Sequence, residues 1–260
     1  MLRAFRVHEP ARPIPGGQGT SWRAGNLVLK PGTDGAVHDW LCDLLAELVA
    51  DGLRVARPVP TREGAWSCRG WSATRWVDGV EPRGGETATW VAVVEAGRTL
   101  HRALAHVPRP DCLDAREDPW ALADRAAWGE REPRLPVELS GLLPGLQAAL
   151  TPLGPAQLVH GDLTTNVLFA AGSAPAVLDV SPYWRPPAYA EGVVVADALC
   201  WHGARVDLLD RAQVPVGAVA RALLFRMATT AERVRTPASG AVDLRDEARR
   251  YARAATAIGG

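Results

Sequence analysis

Lysine is nearly missing from this chain. Of its 29 basic residues 28 are arginine, and Lys30 is the single lysine. A GC-rich genome pushes basic positions toward arginine. The one retained ammonium either marks a place where a compact point charge is hard to replace by a planar fork or has survived by chance. Cysteine is also sparse. Cys42, Cys68, Cys112 and Cys200 are scattered, with no C-x-x-C pair and no zinc-type cluster with histidine. They are expected to be reduced, mostly buried thiols, and a disulfide scaffold is excluded at this length. No stretch reaches the roughly 20 apolar residues that span a bilayer. The best candidate, residues 193–201, is too short and carries Asp197. The opening residues 1–6 lack the apolar run of a signal peptide. Net charge is zero, 29 basic against 29 acidic residues, which gives no global pull toward nucleic acid or an anionic membrane. No internal repeat is present, so a solenoid is excluded. The expectation is a cytoplasmic protein with no nucleic-acid, membrane or obligate protein partner.

What is present divides in texture. The first third reads as short strands and turns. A glycine-rich bend, Pro15-Gly16-Gly17-Gln18-Gly19, precedes a short apolar strand, Asn26 to Lys30, that Pro31-Gly32 stops. Thr33 or Asp34 is a candidate cap for a helix whose apolar residues run from Val37 to Val49 at helical spacing until Gly52. Strand-like pieces follow at 55–60 and 65–76. From Glu86 the pattern turns helical, with helices expected at 86–106, 117–128, 138–150, 190–204, 211–233 and 241–256. A strand-rich island at 157–180 interrupts them. A small β-rich part followed by a larger helical part with an embedded hairpin is an α+β arrangement.

The island carries the sharpest chemistry: His160-Gly161-Asp162-Leu163-Thr164-Thr165-Asn166 and, thirteen residues beyond Asn166, Asp179 directly after an apolar run. Two acids and an amide on neighbouring loops of one hairpin are hard oxygen donors. They suit Mg²⁺, which takes one or two carboxylates and leaves its other positions to phosphates. Phosphoryl transfer needs positioned phosphates, charge neutralisation and an acceptor for the hydroxyl proton. Asp162 fits the base and Asn166 with Asp179 the metal ligands. His160 is the other candidate of the catalytic loop, as its brace.

The segment resembles the catalytic loop of the aminoglycoside phosphotransferase and choline kinase-like family, relatives of protein kinases, whose loop reads H-G-D-x-x-x-x-N. The resemblance implies a two-lobed kinase-like fold, with an N-lobe at 1–78 and a C-lobe at 79–260. It also implies ATP and Mg²⁺ as cofactors and a hydroxyl of a small molecule as acceptor. Lys30 then matches the lysine that holds the nucleotide phosphates and Glu47 its helix partner, with Asp43 the alternative one turn earlier. Gly16, Gly17 and Gly19 resemble the glycine-rich hairpin over the phosphates. The stretch around Thr74 and Trp76 resembles the strand and hinge that meet adenine. His101 is a structural residue in this reading, and Asp197 braces the loop from a helix. Two features depart from the pattern. Asp162 and Asn166 are four apart, one fewer than usual, and Val180-Ser181 replaces the usual aromatic and glycine after the metal aspartate. They define the alternative, a nucleotide-binding pseudokinase or regulatory module with little turnover.

For the acceptor there are two clues. Tyr183 and Trp184 are available to stack on a ring and Arg185 to meet an anion, or all three pack inside. From residue 205 onward ten arginines face six acids, a net +4. That sign disfavours a polycationic aminoglycoside and favours a neutral or anionic alcohol, unless the charge is simply a solvated face.

Overall fold

The computed structural model describes residues 1–14, 19–32, 35–236 and 242–259. Gly16, Gly17 and the cap candidates Thr33 and Asp34 lie outside the described residues. Contacts divide the chain into two units, Met1–Glu81 with Thr165–Asp179, and Pro82–Thr164 with Val180–Gly260.

In the first unit, strands β1 (Arg12–Pro13), β2 (Trp22–Ala24) and β3 (Leu27–Pro31) form an antiparallel sheet with two later strands. Leu27 and Leu29 alternate with Val28 and Lys30, so one face is buried with Phe5, Val7, Ala24 and Ala73 while Lys30 lies on the other. Helix α1 (Ala36–Glu47) has no basic residue in its last turn. The Arg57 guanidinium, brought in from a later segment, donates instead to the carbonyls of Leu45, Ala46 and Leu48. These are the oxygens a helix end leaves without intrahelical partners.

The strand expected at 55–60 contracts to β4 (Arg54–Val55), because Pro58 and Pro60 have no N–H to give a ladder. The piece at 65–76 is a hairpin, β5 (Ser67–Cys68) and β6 (Trp71–Arg75). It turns at Arg69-Gly70, whose φ values of 53° and 72° are both left-handed as a tight two-residue hairpin turn requires. β6 pairs with β3 and sets Lys30 opposite Ser72.

In the second unit come α2 (Thr87–Leu104), α3 (Pro119–Ala127), α4 (Val137–Ser140), α5 (Leu143–Ala148) and β7 (Gln157–His160). The hairpin β8 (Val167–Leu168) and β9 (Ala176–Val177) belongs to the first unit. There β9 runs parallel to β4, and Arg54 donates to the carbonyls of Ala174, at 2.8 Å, and Asp78, at 3.1 Å. The second unit resumes with β10 (Pro182–Arg185), α6 (Pro187–Trp201), α7 (Asp207–Ala212), α8 (Val216–Arg235) and α9 (Leu244–Ala257). The single helix expected at 138–150 is two short ones, with Pro144 in the first turn of the second. The helix expected at 211–233 also divides. Gln213 turns left-handed at φ 54° and Pro215 starts α8 afresh.

α6 is buried on every side from Tyr189 to Ala198, the pattern of a central helix. It approaches α8 closely at Gly192, where an added Cβ would stand 2.4 Å from the Ala218 carbonyl oxygen. No helix among the described residues is long and apolar enough to cross a membrane.

Gly192 tests this packing. Alanine is the better helix former by about 1 kcal/mol, yet here its methyl meets backbone that cannot rotate away. Gly192→Ala is expected to lose about 1–3 kcal/mol net, the range of overpacked cores. Urea unfolding measures it, and a variant as stable as the parent would refute the close approach.

Candidate active site

The catalytic-loop sequence is shared between the units. The chain passes from the second to the first between Thr164 and Thr165, and back between Asp179 and Val180. Each half is held by its own surroundings.

In the first unit Lys30, on β3, makes an ion pair with Asp179. The Asn166 carbonyl accepts from the Leu178 N–H at 2.8 Å, so the hairpin ladder sets Asn166 across from the residue before Asp179. Asp179 has φ 49°, left-handed and without glycine's freedom. Such backbone persists only where the surroundings over-determine it, and it gathers at ligand sites. Among the described residues no group of three or more His, Cys, Asp or Glu is placed to hold a metal. The donors here are one carboxylate and one amide, which fits a hard cation that completes its shell with substrate oxygens.

The other residues expected around a nucleotide are spread over this unit. Glu47 is the exposed last residue of α1. Asp43, its alternative, accepts from the Trp66 indole at 2.7 Å. Thr74 lies on β6 opposite Val28, and Gly19 is exposed at φ 69°. Trp76 donates its indole N–H to Asp78 at 2.7 Å and carries the Arg23 guanidinium 3.9 Å above its ring. Gly16 and Gly17 fall outside the described residues.

In the second unit His160 is fully buried at the end of β7. Its Nδ1 accepts from the backbone N–H of Asp162 and of Ser181, both at 3.2 Å. One ring thus bonds both the start of the loop and the residue entering β10. Behind it the His101 Nε2 accepts the His160 backbone N–H at 3.1 Å. Burial, helped by the nearby His160, holds His101 neutral by lowering its pKa to about 3. Gly161 is glycine for a steric reason, since a Cβ there would sit 2.4 Å from the Tyr183 ring.

Asp162 is half exposed and bonded to a residue that sequence reasoning passed over. Arg226, on α8, donates from Nη2 to Asp162 at 2.9 Å, and from Nε and Nη2 to Asp197 on α6 at 2.7 and 2.5 Å. Thr164 adds its hydroxyl to Asp197 at 2.7 Å. Burial alone would lower the arginine's pKa, but Asp197 and Asp162 outweigh it and hold the guanidinium firmly charged. One signal was available: apart from Arg221, Arg226 is the only charge in the otherwise buried run 217–231.

Tyr183 and Arg185 pack inside. Tyr183 is buried edge-on to Phe225, and its hydroxyl pKa is pushed up by that burial. Arg185 pairs with Asp124 at 2.6 Å and Glu130 at 2.7 Å, and its guanidinium stacks on Trp128. The four cysteines are free. Burial first, then Asp39 and Asp43, push the Cys42 thiol up to about 12, which leaves no thiolate for chemistry.

Comparison with known proteins gives a family and a fold. Residues 20–181 match the model of a phosphotransferase enzyme family, APH. A comparison with curated protein sequences found no match. Solved structures share the fold at low identity. Choline kinase LicA from Streptococcus pneumoniae is 13% identical, with a TM-score of 0.63 over 99% of this chain and 96% of that one. The aminoglycoside phosphotransferase from Alicyclobacillus acidocaldarius is 16% identical, with a TM-score of 0.59 over 97% and 90%. A thermostable aminoglycoside phosphotransferase in ternary complex with AMP-PNP and hygromycin B is 16% identical, with a TM-score of 0.59 over 99% and 96%.

Two measurements follow. Arg226→Met leaves Asp197 buried and unpaired, which should cost about 3–5 kcal/mol in urea unfolding. Adding Asp197→Asn should recover part of that loss, and an unaltered single variant would refute the network. His101 has a folded pKa well below the unfolded value of about 6.5. Its contribution is complete above pH 6.5 and is lost as pH falls, by about 1.4 kcal/mol per unit down to about pH 3. In His101→Gln the stability slope between pH 6.5 and 5 should be shallower by that amount.

Proposed function

The chain belongs to this phosphotransferase enzyme family, and we propose that it transfers the γ-phosphoryl group of ATP, with Mg²⁺, to a hydroxyl of a small molecule. The observation that carries the reading is the ion pair between the single lysine and the strained Asp179. A phosphate-binding cation and a metal-binding carboxylate must work side by side in such a reaction.

Lys30 would donate to the nucleotide phosphates from β3. Asn166 and Asp179 would hold Mg²⁺, which when bound neutralises charge developing on the phosphate oxygens. Asp162 would accept the proton of the acceptor hydroxyl. That oxygen forms its bond to the γ-phosphorus while the bond to the bridging β,γ-oxygen breaks and ADP leaves with the electron pair. His160 holds the loop, and Arg226 with Asp197 keeps the Asp162 carboxylate oriented. Glu47, Gly16, Gly17, Gly19, Thr74 and Trp76 are assigned to the nucleotide by the family pattern. An ATP analogue, AMP-PNP, is bound in a solved structure of similar fold, which supports the cofactor. We place the reaction in the cytoplasm, where ATP is at hand and free thiols stay reduced. The four-residue spacing from Asp162 to Asn166 favours the second reading, a nucleotide-binding module with little turnover.

Thermal unfolding with ATP, with and without Mg²⁺, is the test. At 100 times Kd the nucleotide adds about 2.7 kcal/mol, a rise of roughly 5–10 °C for a chain of this length. The rise should need Mg²⁺ and vanish in Asp179→Ala. Asp162→Asn should keep the rise and lose turnover by at least about a hundredfold, the usual share of a positioned base. No rise with any nucleotide overturns the proposal. A rise without turnover on any alcohol selects the second reading.

A further inference from the structure

Within the second unit a cleft of about 250 Å³ opens among α3, α6, α8 and α9. We propose that it is the acceptor site and that it takes a single uncharged ring bearing several hydroxyls, a neutral sugar or cyclitol. The inference rests on the phosphotransferase reading and adds the substrate class.

Position comes first. Arg226 lines the cleft, and the same guanidinium nitrogen that bonds Asp197 bonds Asp162 at 2.9 Å. One guanidinium therefore joins the cleft to the proposed base. Size comes next. About 250 Å³ falls below the roughly 300–1,000 Å³ of pockets for drug-sized ligands, so one ring fits better than several.

Charge decides between classes. The lining carries Asp197 and Glu247 against Arg226 and Arg233, one sign cancelling the other. The carboxylates are already engaged. Asp197 holds Arg226 and the Thr164 hydroxyl, while Glu247 accepts the Trp201 indole N–H at 3.2 Å with Arg250 at 3.9 Å. An ammonium entering here would compete with fixed guanidinium and indole donors, and an anion would have to draw Arg226 from two carboxylates or rely on the exposed Arg233. Hydroxyls remain. Thr229 donates to the Phe225 carbonyl at 2.9 Å. Tyr251 donates to the Arg226 carbonyl at 3.2 Å, which leaves Thr230 to donate to Tyr251 at 2.8 Å. With their protons spent, these oxygens can only accept. They suit a ligand that donates O–H bonds. Trp120, 37% exposed, and Trp201 supply the flat apolar faces on which the C–H side of a ring rests.

Transfer from radiolabelled ATP to probes that differ mainly in charge tests the proposal: D-glucose and myo-inositol as neutral rings, D-glucosamine as cation, D-glucuronate as anion. The neutral rings should exceed both charged ones at least tenfold in kcat/KM. Trp120→Ala should raise KM for the neutral ring about tenfold while KM for ATP stays within about twofold, and Trp120→Phe should restore most of the loss. Preference for glucosamine or glucuronate overturns the assignment. So does an unchanged acceptor KM in Trp120→Ala, or no transfer to either neutral ring by protein that binds ATP. Loss of the ATP-dependent thermal rise is a different failure, that of the phosphotransferase reading itself.

Discussion

The helical unit is organised around one buried cation. Arg226 reaches from α8 to Asp197 on α6 and to Asp162 in the catalytic loop, so two helices and the loop share a single guanidinium. Asp197 is buried, so removing Arg226 strands a carboxylate there, a penalty of several kcal/mol that an exposed pair never incurs. The planar fork matters as much as the charge. It fixes the angle at which Asp162 is presented, and an ammonium in its place would fix only a distance. Gly192 serves the same end, because α6 can place Asp197 beside α8 only if the two backbones nearly touch.

Charge–aromatic layering extends this arrangement. Trp128 carries the guanidinium groups of Arg185 and Arg221 over its ring, at 4.9 and 4.3 Å, and lies edge-on to Tyr189. Burial raises the Asp124 pKa in spite of the Arg185 hydrogen bond. Tyr183 and Arg185 are thus engaged by neighbours within the unit, Tyr183 by the Phe225 ring and Arg185 by Asp124 and Glu130. An arginine already held by two carboxylates has little left to offer a ligand.

How legible this was in the sequence depends on range. The α+β division, the helix from Val37, and the loop from His160 to Asn166 with Asp179 could be read because the relevant residues are neighbours along the chain. Periodicity and turn chemistry are local. Lys30 was marked by composition alone. What could not be read is tertiary. The Arg226 bridge spans 64 residues to Asp162, and nothing near Arg226 says which carboxylate it will meet. The strands at 12–13 and 182–185 are too short for a pattern, and exist because β2 and β7 pair with them. Pro215 breaks the helix expected at 211–233 although the apolar period runs on through it.

The short catalytic loop takes on a definite meaning in this setting. A residue fewer between Asp162 and Asn166 would be disabling if one flexible segment had to place both. Here neither is placed by the loop. Asp162 is held from behind by Arg226 and by the ring of His160, whereas Asn166 is set by its ladder bond to Leu178 and by the parallel pairing of β9 with β4. The intervening residues need only connect two anchored ends, and Thr164 is itself tied to Asp197. Preorganisation by flanking elements, rather than loop length, fixes each of these two residues within its own unit.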